Sequence, residues 1–417
     1  MKQGKTLQAL GEELQRQRMV RKDFLANTGS LQLTSRGNTS QLTITIGKEK
    51  KVFTVGELAH QQIASRLQIP YRYYQKMQQE FPELLDENVN AWFDENPERR
   101  MVRTLDGHVR AFLSDRYRRL DNLELCAAVL PVIQDMKGAS IESCDVTETH
   151  MYLKVVNKKM KAEVAVGDVV QAGFVISNSE VGLGSLRVEP LVFRLVCKNG
   201  LICKDYSQKR YHVGRQAAVS DENAYELYSD ETLRQDDKAF FMKVQDTVRC
   251  AVDEAKFMLT VDAMKRSMHI PLEHDPVKEV EVLTDRFPLS QGERGNILRQ
   301  LFLGKDLSRY GLVNAVTAAS KFCDSYERAT DLERMGGELL ALPIPSNMQP
   351  KSLEPRRMPK DITPRIPQMQ VYSVRDGLCR QLLFHIIKIP ECAIRRMIPV
   401  KETLNRLNDV FFQICIE

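Results

Sequence analysis

No apolar run in the 417 residues approaches the ~18 that a membrane-spanning helix needs, and the opening MKQGKTLQALGEELQ is amphipathic rather than a charged head followed by an apolar stretch. A cytoplasmic chain without membrane contact is expected. C-x-x-C pairs are missing too. The nine cysteines, an odd number, are scattered along the chain, which argues against a disulfide framework and suits reduced, mostly buried thiols. There is neither a GxxxxGK[ST] nor an H-E-x-x-H motif, and the seven histidines are dispersed. The sequence thus names no P-loop, no catalytic residue, no metal ligand set and no cofactor. An enzyme is the less favoured class.

What the chain does have is unevenly placed charge. The formal net charge is only +5, but Arg99 to Arg119 holds seven arginines against Asp106 and Asp115. Leu186 to Arg215 holds seven cations against Glu189 and Asp205, so the rest of the chain is net negative, including the acidic run from Asp221 to Asp237. Concentrated positive charge is what anion binding requires, although a sheet face with compensating acids folded nearby gives the same pattern.

The hydrophobic periods predict an α+β fold. Antiparallel hairpins with packed helices fill the N-terminal half, and a mainly helical half comes after them. Residues 5 to 25 read as an amphipathic helix with Leu7, Leu10 and Leu14 on one side, and residues 31 to 54 as two or three strands broken at Gly37 and Gly47. The segment around Ile63, Ala64, Leu67, Tyr73 and Met77 has helix-turn-helix spacing. Yet Gln68 stands where a turn glycine is usual, and plain helical packing is the favoured reading. KAFFMKVQDTVRCAVDEAKFMLTVDAMKRSM reads as one long helix with Phe241, Val244, Val248, Val252, Ala255 and Leu259 on a shared face. Ser290 with Glu293 forms a capping box, and a helix begun near Asp331 should stop at or just beyond Gly336 and Gly337. Seven of the seventeen prolines fall between Pro343 and Pro367, which marks a linker or extended tail. These shifts divide the chain into residues 1–54, a mixed core over 55–220 with two basic hairpins, a helical domain over 221–342, and 343–417.

In MVRTLDGHVRAFLSDRYRRL, Asp106-Gly107 is a favoured type I′ pair. A two-residue loop there sets Leu105 opposite His108, Thr104 opposite Val109 and Arg103 opposite Arg110. Val102, Thr104, Val109, Ala111 and Leu113 then form the core face. Opposed arginines repel, so a carboxylate or a phosphate backbone must lie near them, and Arg116, Tyr117, Arg118 and Arg119 follow at once. NSEVGLGS, Asn178 to Ser185, suits a loop that lets a phosphate or another backbone approach.

VFRLVCKNGLICKDYSQKRYHVGR holds the one tight set of soft ligands, Cys197, Cys203 and His212. A two-residue loop at Asn199-Gly200 would set Cys197 opposite Ile202 and Cys203 opposite Val196, with the thiols on opposite sides of the hairpin and unable to share a zinc. The basic, aromatic end of the stretch, Lys204, Lys209, Arg210, Tyr211 and His212, is the stronger candidate for function.

Several blocks in order, FTVGELAHQQIASRLQIPYRYYQKM, VRAFLSDRYRRLDN, ISNSEVGLGSLRVEPLVFRLVCKNGL with a downstream RYHVG, and YGLVNAVTAASKFCDSYERATDLERMGGELL, resemble a domain-of-unknown-function family of phages, prophages and plasmids. The likeness spans about residues 50 to 342. It implies a mobile-element origin and host-cell cytoplasm, and carries over no catalytic residues. The resulting expectation is a non-enzymatic nucleic-acid-binding protein, with single-stranded DNA favoured and a role in annealing or recombination. Its candidate contacts are Arg103, Arg110, Arg116, Tyr117, Arg118, Arg119, Lys204, Lys209, Arg210, Tyr211 and His212. The alternative is a regulatory or anti-defence protein that binds a host protein. Oligomerisation is left open.

Overall fold

A computed structural model describes residues 1–37, 39–117, 119–203 and 230–343. Helix α1, Leu7–Val20, starts where the Thr6 side chain accepts from Ala9 N, and it buries Leu10 and Leu14 while Leu7 stays exposed. The helix expected to reach residue 25 ends early. Lys22–Asn27 is a strand, β1, because tertiary pairing along Arg99 to Thr104 overrides the local helical pattern.

Strands β2 (Leu31–Arg36), β3 (Thr39–Ile46) and β4 (Glu49–Val55) form a meander turning near Gly37 and Gly47, as the alternation predicts. Helices α2 (Glu57–Arg66), α3 (Tyr71–Glu80) and α4 (Pro82–Glu95) pack on one face of these strands. Ile63, Tyr74, Met77, Leu85 and Phe93 meet Leu33, Leu42 and Ile44 there. The helix-turn-helix spacing is therefore core packing. Gln68 itself adopts the left-handed turn at φ 56°, and buried Tyr74 meets His60 Nδ1 at 2.9 Å.

Strands β5 (Arg99–Leu105) and β6 (His108–Ser114) complete a six-stranded sheet in the order β1-β5-β6-β4-β3-β2. Its pairs are antiparallel except β4 with β6. The β2 edge is blocked by α4. Asn90 both accepts from Leu33 N and donates to Leu33 O, and Asp86 accepts from Ser35 N.

Helix α5 (Asn122–Asp135) leads into a second, antiparallel sheet of β7 (Ala139–Val146), β8 (Met151–Ala165), β9 (Asp168–Asn178), β10 (Arg187–Arg194) and β11 (Asn199–Ile202), ordered β11-β10-β9-β8-β7. Helices dominate between Asp230 and Pro343: α6 (Asp230–Arg249), α7 (Glu254–Ser267), α8 (Pro276–Arg286), α9 (Gln291–Gly304), α10 (Arg309–Ala319) and α11 (Tyr326–Leu340). The mixed α+β class is as expected. Leu153, Val155, Phe174 and Ile176 of the second sheet pack with α1, α5 and α6. Tyr152, Val156, Val175 and Leu191, of alternate parity, pack with Tyr326 of α11.

Three expectations are corrected in this half. The long helix is two, because Asp253 caps α7 through Lys256 N after a break at residues 250–253, and Leu259 is exposed rather than in line with Val248. Helix α11 begins at Tyr326 rather than near Asp331 and, ending at Leu340 just beyond them as expected, passes through Gly336 and Gly337. A Cβ there would lie 2.3 Å from Thr317 Cγ2 and 2.0 Å from Ile202 O, so these glycines let the helix pass close to α10 and β11. Asn199 and Gly200 are paired residues of β11, and Leu195 to Lys198 form the connection from β10. The Ser290–Glu293 capping box forms as its spacing predicts. Among the described residues no helix is long and apolar enough to cross a membrane.

Candidate functional site

The first basic window folds back on the protein. Asp106 and Gly107 take φ of 52° and 79° and make the expected turn, with Leu105 opposite His108 and Thr104 opposite Val109. A bulge then shifts the register. Arg103 faces Ala111, and Arg110 is the extra residue, so the two arginines are not opposed. The slip also reverses the faces beyond it: Phe112 joins Val102 and Val109 in the core, while Ala111 and Leu113 turn with Met101 toward Val181.

Arg103 is fully buried, and each of its three nitrogens donates a hydrogen bond. Nε and Nη2 bond Asp23 at 3.0 and 3.2 Å, Nη2 also bonds Asp121 at 2.8 Å, and Nη1 bonds the Glu180 carbonyl at 2.9 Å. Burial by itself lowers the Arg103 pKa, but Asp121 and Asp23 more than offset this and hold it above its ordinary value. Arg110 Nη2 bonds the Glu180 carboxylate at 3.0 Å, and Arg21 bonds Asp121 at 2.6 Å. Burial pulls Arg110 below its ordinary pKa, with Glu180 only partly opposing. Three arginines thus meet three carboxylates where the two sheets join.

Glu180 belongs to NSEVGLGS, whose first half, Asn178 to Val181, is buried, while Gly182 and Leu183 are exposed. Another part of the chain approaches it. Gln62 donates to Val181 O, Tyr117 OH donates to Ser179 O, and Glu180 Oε1 accepts from Asn122 N at the start of α5. Arg116 and Arg119 remain exposed, the latter 3.8 Å from Asp23. Arg118, Lys204, Lys209, Arg210, Tyr211 and His212 lie outside the described residues.

In the second window, Arg194 grips Asp168 with two bonds of 2.6 and 2.7 Å, and Tyr310 OH donates to the same carboxylate. Cys197 sits in the β10–β11 connection, and Cys203 comes directly after β11 with its N–H on Pro190 O. The two cysteines are held apart by the length of a strand rather than by the faces of a tight hairpin. Among the described residues no group of three His, Cys, Asp or Glu is placed to hold a metal ion.

The fold assembles a basic cluster that neither window contains. The β8 pairing is interrupted between Val156 and Lys161, where Lys158 N bonds Gly138 O at 2.8 Å and Asn157 Oδ1 accepts from Lys159 N and Met160 N. Gly138 is needed because a Cβ there would lie 2.8 Å from Lys159 Cγ. This bulge brings together Lys137, Lys158, Lys159 and Lys161, all exposed and none in an ion pair among the described residues. Sequence pattern marks NKKM only as strand. The signal for the cluster, three lysines in four residues plus Lys137-Gly138, is divided between segments twenty residues apart.

At the other end of β8 lies a cleft of about 670 Å³, bounded by the β5–β6 turn, α1, the start of α2 and the β7–β8 turn. Arg110 and His108 line it together with Glu13, Glu57, Asp106 and Glu148. Nearby, His150 Nδ1 lies 2.8 Å from Glu327, a histidine–carboxylate pair that spacing along the chain hides. The His150 hydrogen bond holds the Glu327 carboxyl below its ordinary range.

Fold and site define a two-sheet α+β protein with a helical C-terminal half, a charge-compensated joint between its sheets and a separate lysine cluster. The chain belongs to the family described as Domain of unknown function (DUF932), whose model matches residues 110–320, half of its length. No curated protein and no solved structure matches it.

Proposed function

We propose that this is a mobile-element protein that binds nucleic acid without catalysing a reaction on it, by holding the phosphate backbone. The observation that carries the reading is the cluster of Lys137, Lys158, Lys159 and Lys161, exposed cations that no protein carboxylate neutralises among the described residues. Exposed Arg116 and Arg119 add charge elsewhere, whereas Arg103 and Arg110 hold the fold together and are not contacts in this reading. Single-stranded DNA is the favoured partner, on the strength of the tyrosines interleaved with cations in the sequence, and annealing or recombination the favoured setting.

Labelled single- and double-stranded oligonucleotides titrated at several salt concentrations test it. Four phosphate contacts give a log–log salt slope of about −2.8 for single strands. Lys137→Glu, Lys158→Glu, Lys159→Glu and Lys161→Glu together should abolish most of the affinity. Absence of binding, binding indifferent to salt, or full affinity in the fourfold variant rejects the reading.

A further inference from the structure

Val156 faces Gly173 and Lys161 faces Gln171, so β8 takes five steps where β9 takes two. The extra residues carry backbone groups that β9 cannot pair, and Lys158 and Lys159 are among them. One side chain answers for them. Asn157 Oδ1 accepts from Lys159 N at 3.0 Å and from Met160 N at 3.2 Å, while Nδ2 donates to Lys137 O at 3.4 Å. A single amide thus holds both lysine-bearing segments, and Lys158 N on Gly138 O adds a backbone bond of 2.8 Å between them. Gly138 leaves the room. Its φ is 88°, and a Cβ there would lie 2.9 Å from Asn157 Oδ1 and 2.8 Å from Lys159 Cγ. The one acid of β8, Glu163, is engaged at the hairpin tip, where it accepts from Gly167 N at 2.6 Å.

Charge alone does not make a phosphate site. Lysines on segments that move separately must each be ordered when a ligand arrives, whereas lysines held in one frame meet neighbouring phosphates together. We infer that Asn157 is the positioning residue of the lysine site: its amide makes the β8 bulge and the Lys137-Gly138 segment one platform for a polyanion backbone. For its natural ligand the inference rests on the nucleic-acid reading. The platform itself belongs to the fold, and a small polyanion reports on it separately.

Inorganic tripolyphosphate and a labelled oligothymidylate, each titrated into the full chain at several salt concentrations, test the role. Asn157→Ala removes no charge, yet it should weaken both ligands about tenfold through the lost hydrogen bonds. The oligonucleotide salt slope should shrink by about 0.7 or more, the share of one phosphate contact. Asn157→Ser keeps a hydroxyl acceptor at the bulge and should retain most of the affinity. Thermal melting of the variants separates positioning from folding. A lower melting temperature with an unchanged salt slope means a merely structural asparagine and overturns the inference. Tripolyphosphate binding that depends on Asn157, without oligonucleotide binding, upholds the inference and rejects the nucleic-acid reading. Oligonucleotide binding that the fourfold lysine variant abolishes and Asn157→Ala leaves intact does the reverse. Binding of neither ligand rejects both.

Discussion

Lys154 Nζ lies 2.6 Å from Glu333 Oε2, with both side chains fully buried and their positions 179 apart in the chain. Lys154 projects from β8 and Glu333 from α11, so this pair fastens the helical half to the second sheet. Burial lowers the lysine pKa and Glu333 opposes that shift, while the ammonium also sits 4.6 Å from the centre of the Tyr326 ring. Attraction in a dry interior offsets a large desolvation cost only while both partners are present.

Removing one partner should therefore hurt far more than removing both. Glu333→Gln leaves an uncompensated buried charge and should cost about 3–5 kcal/mol, whereas Lys154→Met combined with Glu333→Leu should cost much less. Urea unfolding followed by circular dichroism measures both. A single variant as stable as the parent would mean that the pair is not closed.

The glycines of two neighbouring helices should respond in opposite directions. Gly292 and Gly295 of α9 have nothing within 4 Å of an added Cβ, so alanine there should stabilise by about 0.5–1 kcal/mol. Gly336→Ala and Gly337→Ala meet Thr317 and Ile202 and should destabilise despite the same gain in helix propensity. Thermal melting of the four variants separates the two effects, and a stabilising Gly337→Ala would contradict the close packing of α11 on β11.

Glu293 predicts an acid limb of stability. The Arg328 side chain holds its carboxyl at about 2, helped by the Ser290 amide of the capping box. Its folded pKa is depressed, so the contribution is present above pH ~4.5 and disappears as pH falls toward 2. Denaturation midpoints between pH 6 and 3 should fall more steeply in the parent than in Glu293→Gln. Parallel curves would show that the pairing adds nothing.

His60 sets a second, higher window. Burial beneath α3 pushes its pKa down to about 4, against 6.5 for a free side chain. The unfolded chain takes up this proton first, so stability should decline from pH ~6.5 toward 4 and change little through this group below that. Histidine resonances followed against pH give the value directly. A His60 titration near 6.5 would place the ring in water.

Lysine spacing and hydrophobic period behave differently as signals. The α+β class, the β2–β4 meander, the Asp106-Gly107 turn and the Ser290 cap were legible because each is set by residues two to four apart, through turn dihedrals, strand alternation or helix capping. The sequence also marked positive charge at Arg103 and Arg110 without its partners. Those partners are Asp23, Asp121 and Glu180, up to 80 residues away.

Tertiary structure alone decided what that charge does. A single bulge at Arg110, opposite the step between Arg103 and Thr104, moved Arg110 out of register and set Arg103 opposite Ala111, because one extra residue in a strand exchanges the faces of everything beyond it in that strand. In the same way an interruption in β8 gathered Lys137 with Lys158, Lys159 and Lys161. Local chemistry determined which elements form. Long-range register determined which charges are neutralised inside the protein and which are left at its surface.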